Sequence, residues 1–277
     1  MISDRSAIII SASSDIGMAI SQHWLTRDWK IFGTYRTRSQ AVNDLAAHGV
    51  SLVHCDLSDS QSVNDACSQL RKLCPNWNVL ALCPGMLDPI GAFADCNFPE
   101  WEESVKVNFT SQMRIIHELL PTRHGNSVVE PSMLLFAGGG TNDAPVNYSA
   151  YTASKVALIK MCELLAAEIP DARFVIVGPG WVKTKMHDST LGAGARAGAN
   201  YHRTVERLSS DKFTSMDEVL DCCDWLIEAP RGVMNGRNFS VTYDMWGTEE
   251  LASRLIEEPN MYKLRRHGND WMVKNAN

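Results

Sequence analysis

Tyr151 and Lys155 lie four residues apart in YSAYTASKVAL, a stretch that continues with Val156, Ile159, Leu164 and Leu165 at helical spacing. On one helix that separation puts both side chains on the same face. A phenol beside an ammonium is a candidate acid–base device. Drawing a tyrosine pKa from about 10 toward about 7 takes about 4 kcal/mol of differential stabilisation, and a neighbouring positive charge supplies part of it. The spacing alone arises often by chance. Its weight comes from Ser154 just before the lysine, from strand-like runs on both sides and from a motif downstream.

A second stretch with chemical content is AIIISASSDIGMAI, Ala7 to Ile20. It reads as a buried strand, a tight turn and a helix start, the arrangement in which backbone N–H groups receive a phosphate. Gly17 is its one glycine. Any tight strand-to-helix turn reads the same way, so this loop alone leaves the ligand open.

The elements that must carry these residues are seven runs: AIIIS, KIFGTY, SLVHC, NVLALC, SMLLFA, RFVIVG and NFSVTY. Between them lie stretches with apolar residues three and four apart. The alternation predicts an α/β fold, a doubly wound parallel sheet of about seven strands with helices on both faces and right-handed crossovers. Ligands of such sheets sit beyond the C-terminal strand ends. With 277 residues, 45% of them hydrophobic, the chain can bury one large core. No linker divides it, so a single domain over 1–277 is expected, with an extension from about 245.

A net charge of -6 gives no general reason to bind nucleic acid or an acidic membrane. The N-terminal MISDRSAIII carries charges and then a short apolar run, which fits neither a signal peptide nor a spanning helix, so a cytoplasmic protein is expected. The eight cysteines form no C-x-x-C pair and have no matching histidine spacing, which predicts buried reduced thiols and no metal.

In order and spacing these motifs resemble the short-chain dehydrogenase/reductase family, a Rossmann-type fold, over nearly the whole chain. The family's cofactor loop is T-G-x-x-x-G-x-G. Aligned on Ile16 and Gly17, its threonine falls on Ile10, its first glycine on Ser11 and its second on Asp15. Glycine there permits unusual backbone angles and close approach of a pyrophosphate. Serine and aspartate are small, and aspartate tolerates left-handed angles. The resemblance sets Ser11, Ser13, Ser14, Asp15, Ile16 and Gly17 against the cofactor. Arg36, with Arg38 nearby, follows the second run where the adenosine ribose lies. An arginine there pairs with the 2′-phosphate of NADP, whereas an acid would take the 2′-hydroxyl of NAD. The other reading of Arg36 is a solvated surface arginine.

The same resemblance implies Asp56 and Leu57 at the adenine, and Gly85 as the survivor of the family's N-A-G in Cys83-Pro84-Gly85. It implies Tyr151 as proton donor to a carbonyl oxygen, with Lys155 tuning it and holding the nicotinamide ribose. Asn108 in SVKVNFTSQM matches an asparagine that bends its helix and holds a water for proton exchange. In GPGWVKT the backbone after Pro179 and Gly180, with Val182, would meet the nicotinamide carboxamide, Thr184 would meet it or the pyrophosphate, and the implied cofactor is NADP(H). One departure concerns catalysis directly. The family's substrate-binding serine, thirteen residues before the tyrosine, is Gly138 here. Losing such a donor costs ~10²–10³ in rate. Thr141 or Asn142 is the expected stand-in, with the backbone N–H groups of Gly138 to Gly140 as another candidate and a glycine loop without any donor as the alternative. On this reading Gly138→Ser is tolerated or helpful.

From Lys183 on, Lys183, Lys185, His187, Arg196, His202, Arg203 and Arg207 face only Asp188 and Glu206. This basic island suggests a small-molecule anionic carbonyl or alcohol substrate such as a sugar phosphate or nucleotide-sugar. Its alternative is a solvated helix face. A fainter similarity, in the triple glycine and NGRNFSVTYDMW, points to reductases of bacterial surface-polysaccharide pathways. Two function classes stand: an NADP(H)-dependent oxidoreductase, or a dinucleotide-binding sensor or scaffold with weakened chemistry. By family analogy the chain forms a homodimer or homotetramer through the segments 101–120 and 151–168. The tail predicts an amphipathic helix with Leu251, Leu255 and Ile256 on one side, stopped by Pro259, then Met261, Tyr262, Lys263, Leu264, Arg265 and Arg266. It is expected either beside the substrate lid, adding charge, or on the last sheet edge.

Overall fold

Alternate residues of the first strand enter different layers of core. Ala7 and Ile9 pack with Ile20, Trp24, Leu45 and Leu226 on one face of the sheet. Ile8 and Ile10 pack with Val63, Leu70, Ile115 and Leu158 on the other. Period-two alternation buries both faces only when helices cover both, which is why these runs are apolar throughout. The structure, a computed structural model, describes residues 5–125, 130–140 and 142–267.

Strands β1 (Ser6–Ile10), β2 (Lys30–Tyr35), β3 (Ser51–His54), β4 (Val79–Leu82), β5 (Ser132–Phe136), β6 (Arg173–Gly178) and β7 (Arg237–Ser240) form one sheet in the order β3-β2-β1-β4-β5-β6-β7. All six pairings are parallel. The order reverses between β1 and β4, so the crevice at their C-terminal ends is the topological switch point. The seventh run ends earlier than NFSVTY suggests, because the Asp244 carboxylate accepts the Ser240 N–H at 2.6 Å and turns the chain.

Helices α1 (Asp15–Leu25), α2 (Gln40–Ala47) and α3 (Ser60–Leu73) begin on Ser14, Ser39 and Asp59, whose side-chain oxygens accept first-turn N–H groups. Helices α4 (Phe98–Val105) and α5 (Ser111–Leu119) are joined by one π-helical turn, Lys106–Thr110. Helix α6 (Ser149–Glu168) carries the tyrosine and lysine, and α7 (Met186–Ala193) and α8 (Ala199–Leu208) follow β6. Helix α9 (Met216–Glu228) opens with a capping box between Ser215 and Glu218, and short α10 (Arg231–Met234) leads into β7. Among the described residues no helix is long and apolar enough to cross a membrane.

In the tail, α11 (Glu249–Glu257) buries Leu251 and Leu255 but leaves Ile256 exposed, against the expected apolar side. The chain after it covers the edge of β7. Tyr262 O accepts the Asn238 N–H at 2.9 Å, and the Tyr262 ring meets Phe239 edge-on. Buried Arg237 donates to the carbonyls of Met261, Glu258 and Leu255. Arg265 pairs with Glu163 on α6 at 2.6 Å. The described tail therefore spends Arg265 on α6 and its backbone on the sheet edge.

Candidate active site

The turn between β1 and α1 holds its shape without the family's first glycine. Ser11 takes φ +60, the left-handed region, and its N–H donates to Thr34 Oγ1 at 2.9 Å. Asp15 needs no such angle, because it already lies in the first turn of α1, so its tolerance of left-handed backbone goes unused. Gly17 cannot be replaced cheaply: a Cβ there would sit 2.3 Å from Ser11 O and 2.9 Å from Ser14 Oγ. Ser14 caps the helix through the Gly17 N–H, Ser13 is half-buried, and Ile16 packs against the core. The Asp15 carboxylate reaches across the crevice, accepting the Lys185 N–H at 2.8 Å with Lys185 Nζ at 3.7 Å.

Arg36 is exposed just beyond β2, while Arg38 is engaged with Asn43 and the Tyr35 ring. Next to it, beyond β3, Asp56 is oriented by Ser58, whose N–H and hydroxyl donate at 2.9 and 2.8 Å. Burial pushes the Asp56 carboxyl up, but the two Ser58 hydrogen bonds and the charges of Arg36 and His54 outweigh it and hold the group below its usual range. Leu57 is buried and accepts the Ser111 hydroxyl.

At the ends of β4 and β5 the Lys155 ammonium, only 2% exposed, donates to Pro84 O at 3.1 Å and Phe136 O at 2.9 Å. Burial pulls it down to about 8. Its Nζ lies 5.7 Å from the centre of the Tyr151 ring. Burial pushes the Tyr151 phenol up to about 12, the opposite of the lowering expected from its neighbour. An ammonium already committed to two carbonyls, 5.7 Å from the ring centre, does not offset that loss of solvent. A Cβ at Gly85 would meet only Met186 Cε, at 2.4 Å, the tip of a flexible side chain that would have to move aside.

Gly138 lies directly under the phenol. A Cβ on Gly138 would come within 2.4 Å of Tyr151 Oη and 2.6 Å of Cε1. This stands against the expectation that serine is welcome at 138, because the tyrosine lies in the volume its Cβ would take. Thr141 lies outside the described residues, and Asn142 is exposed.

Fully buried Asn108 sits in the π-helical turn between α4 and α5. Its amide grips Met86, accepting the N–H at 2.9 Å and donating to the carbonyl at 2.8 Å, so it pins the loop after β4. The carbonyl that the π-turn frees is taken by Gln112 Nε2 at 2.7 Å. Gln112 was not singled out by sequence, although its place one helical turn after Asn108 was a usable signal.

After β6, Pro179 leads into Gly180 at φ +75, where a Cβ would lie 2.2 and 2.3 Å from the hydroxyls of Thr242 and Thr214. Val182 is buried, its carbonyl accepts from His187 Nε2 at 2.8 Å, and half-buried Thr184 O accepts the His187 N–H. His187 stacks on Trp181 at 3.9 Å, and burial lowers its pKa, so it is neutral at pH 7. The basic island is thus dispersed. Lys185 faces Asp15, Lys183 lies over Phe213 and Arg207 lies over Trp181.

Met186, Tyr148 and Tyr201 pack with Tyr151 around Leu87, Ile90, Ala193 and Ala197, an apolar cover held by the Tyr148–Thr190 hydroxyl contact at 2.8 Å. Beside it opens a cleft that shares Ile90, and its charged lining residues are Arg196, Asp95 and Glu100. Sequence reasoning found Arg196 but missed both acids, which lie far off in the chain, Asp95 in the segment before α4 and Glu100 in the first turn of α4.

This geometry agrees with known proteins. A family profile described as Enoyl-(Acyl carrier protein) reductase matches residues 10–243. The chain is 25% identical over 249 residues to the 3-oxoacyl-(acyl-carrier-protein) reductase FabG of Escherichia coli (strain K12), covering 87% of this chain and 96% of that protein. It is 22% identical over 240 residues to serine 3-dehydrogenase of Rhizobium radiobacter, covering 82% and 89%. A short chain dehydrogenase from Shigella flexneri, solved in complex with NADP, superposes with a TM-score of 0.71 at 19% identity over 86% of this chain and 97% of that one. The profile match over most of the sequence, on a seven-stranded parallel sheet in the expected order, makes this chain a member of the short-chain dehydrogenase/reductase family of oxidoreductases.

Proposed function

We propose that the chain is an NADP(H)-dependent oxidoreductase interconverting a carbonyl and an alcohol on a polar substrate that carries an anionic group, of the sugar phosphate or nucleotide-sugar type. The observation that carries this reading is the Lys155 ammonium tied to the carbonyl ends of β4 and β5 beside the Tyr151 ring. The residues present fit a dinucleotide. Ser11 adopts the left-handed angle that a phosphate turn needs, and Gly85 leaves a bare Cα at the switch point. Ser11, Ser13, Ser14, Asp15, Ile16 and Gly17 would surround the pyrophosphate, Asp56 and Leu57 the adenine, and Gly85, Pro179, Gly180, Val182 and Thr184 the nicotinamide end. The nicotinamide, when bound, supplies or accepts the hydride.

The remaining chemistry belongs to side chains of this protein. A phenol pushed up to about 12 stays protonated at neutral pH, so Tyr151 donates its O–H to a carbonyl oxygen in the reductive direction. Lys155 has three N–H donors and spends two on carbonyls, which leaves one to hold a ribose hydroxyl. Tyr151 packs with Met186, Tyr148 and Tyr201 on one apolar cluster, Leu87, Ile90, Ala193 and Ala197, which lowers the polarity beside the phenol. In the cleft, Arg196 receives the anionic group while Asp95 and Glu100 accept hydroxyl donors. Arg36 supports NADP over NAD, as does the NADP held by the Shigella protein. The proposal includes a cytoplasmic protein that binds neither membrane nor nucleic acid. It also includes a homodimer or homotetramer through α4, α5 and α6, and light scattering that finds only monomer at micromolar concentration refutes that part.

A second reading, a dinucleotide-binding sensor or scaffold, is favoured by the missing hydroxyl at Gly138. NADPH consumption across a panel of carbonyl substrates separates the two, with Tyr151→Phe expected to abolish turnover. For the cofactor, NADPH is expected to bind at least about tenfold tighter than NADH, as a charge-assisted pair at Arg36 allows. Arg36→Ala should erase the difference in a fluorescence titration, and equal affinities in the unaltered protein refute the assignment.

A further inference from the structure

The loop after β5 and the first turn of α6 meet at one point, the contact between Gly138 and the Tyr151 phenol. A Cβ at 138 would lie 2.4 Å from Oη, 2.6 Å from Cε1 and 2.7 Å from Cζ, all closer than any ordinary non-bonded contact. No positive φ is involved, so the glycine is not there for its backbone angle. It is there for volume. The next residue makes the contrast: a Cβ at Gly139 would meet nothing within 4 Å.

We infer that Gly138 is the positioning residue for Tyr151, its missing side chain being the socket that sets where the phenol O–H stands. This rests on the proposed function for its catalytic meaning, though the contact itself does not. Tyr151 packs with Met186, Tyr148 and Tyr201 against Leu87, Ile90, Ala193 and Ala197, and Gly138 lies against its phenol end from the β5 side. A side chain at 138 therefore shifts the phenol from the place where it stands. A hydroxyl brought in by serine arrives on the same Cβ and displaces the donor it would assist.

The test uses Gly138→Ala and Gly138→Ser in the full chain. Both should lower kcat at least about 100-fold, the scale of a lost preorganised donor, with the NADPH dissociation constant within about twofold. Activity of Gly138→Ser equal to or above that of the unaltered protein overturns the inference. A melting cycle covers the case in which the single variants fold poorly. Gly138→Ala should lower Tm by several degrees with Tyr151 in place and cost nothing when Tyr151→Ala has emptied the space. An equal cost in both backgrounds also overturns it. If Tyr151→Phe keeps full turnover, the proposed function fails while the melting cycle still reports on the contact.

Discussion

Lys155 should make this protein more stable as the pH rises from about 8 to about 10.5, and Lys155→Met should remove that effect. Burial beside the strand ends pulls the ammonium from its ordinary 10.5 down to about 8. That interval corresponds to about 3 kcal/mol, at roughly 1.4 kcal/mol per pH unit. The sign follows from proton counts. Below about 8 the lysine is charged in both states, and the folded state bears the whole desolvation cost. Between about 8 and 10.5 the folded protein has released the proton and the unfolded chain still holds it, so stability rises with pH. Above 10.5 both are neutral and nothing further changes. Methionine has similar volume and never ionises. It leaves Pro84 O and Phe136 O without their donor, but that loss is the same at every pH. Urea denaturation of both proteins at pH 7, 8, 9 and 10 gives the difference directly, and titrations common to both cancel. The gap should move by about 2–3 kcal/mol in favour of the lysine protein across the series. A gap independent of pH would falsify the desolvated ammonium and remove the electrostatic basis of the site.

Two further outcomes test the phosphate turn. Gly17→Ala drives a Cβ into Ser11 O and disturbs the Ser14 cap, which should cost about 2–4 kcal/mol and lower Tm by roughly 5–10 °C, with NADPH binding lost; calorimetry reading an unchanged Tm refutes the crowding. Asp15→Asn keeps an acceptor for the Lys185 N–H but removes a negative charge from the helix N-terminus where a pyrophosphate would sit, so NADPH should bind about threefold to tenfold tighter. Weaker binding in a fluorescence titration means the carboxylate closes the crevice over its ligand instead of opposing it.

Sequence by itself determined the sheet, because a run such as AIII is apolar on both faces only where helices cover both, and that condition leaves few topologies. It determined that Tyr151 and Lys155 share a helix face, since a separation of four residues is a property of the helix alone. It also marked Gly17, Gly180 and Gly138 as positions of interest by comparison with a family pattern. Only the tertiary structure decided what those residues meet. That Lys155 spends two donors on carbonyls of residues 84 and 136 depends on how far two strands extend before they turn. The island of positive charge between 183 and 207 was continuous in the chain but scattered in space, because Asp15, Trp181 and Phe213 come from other elements and take its members one by one. The empty place at Gly138 reads as a missing hydroxyl in one dimension, whereas in three the Tyr151 phenol lies in the volume a Cβ would take, since that volume is defined by whichever side chain, thirteen residues on, packs against it. Local periodicity is encoded residue by residue. Packing and charge pairing join residues far apart in the chain, so they become definite only once the fold has closed.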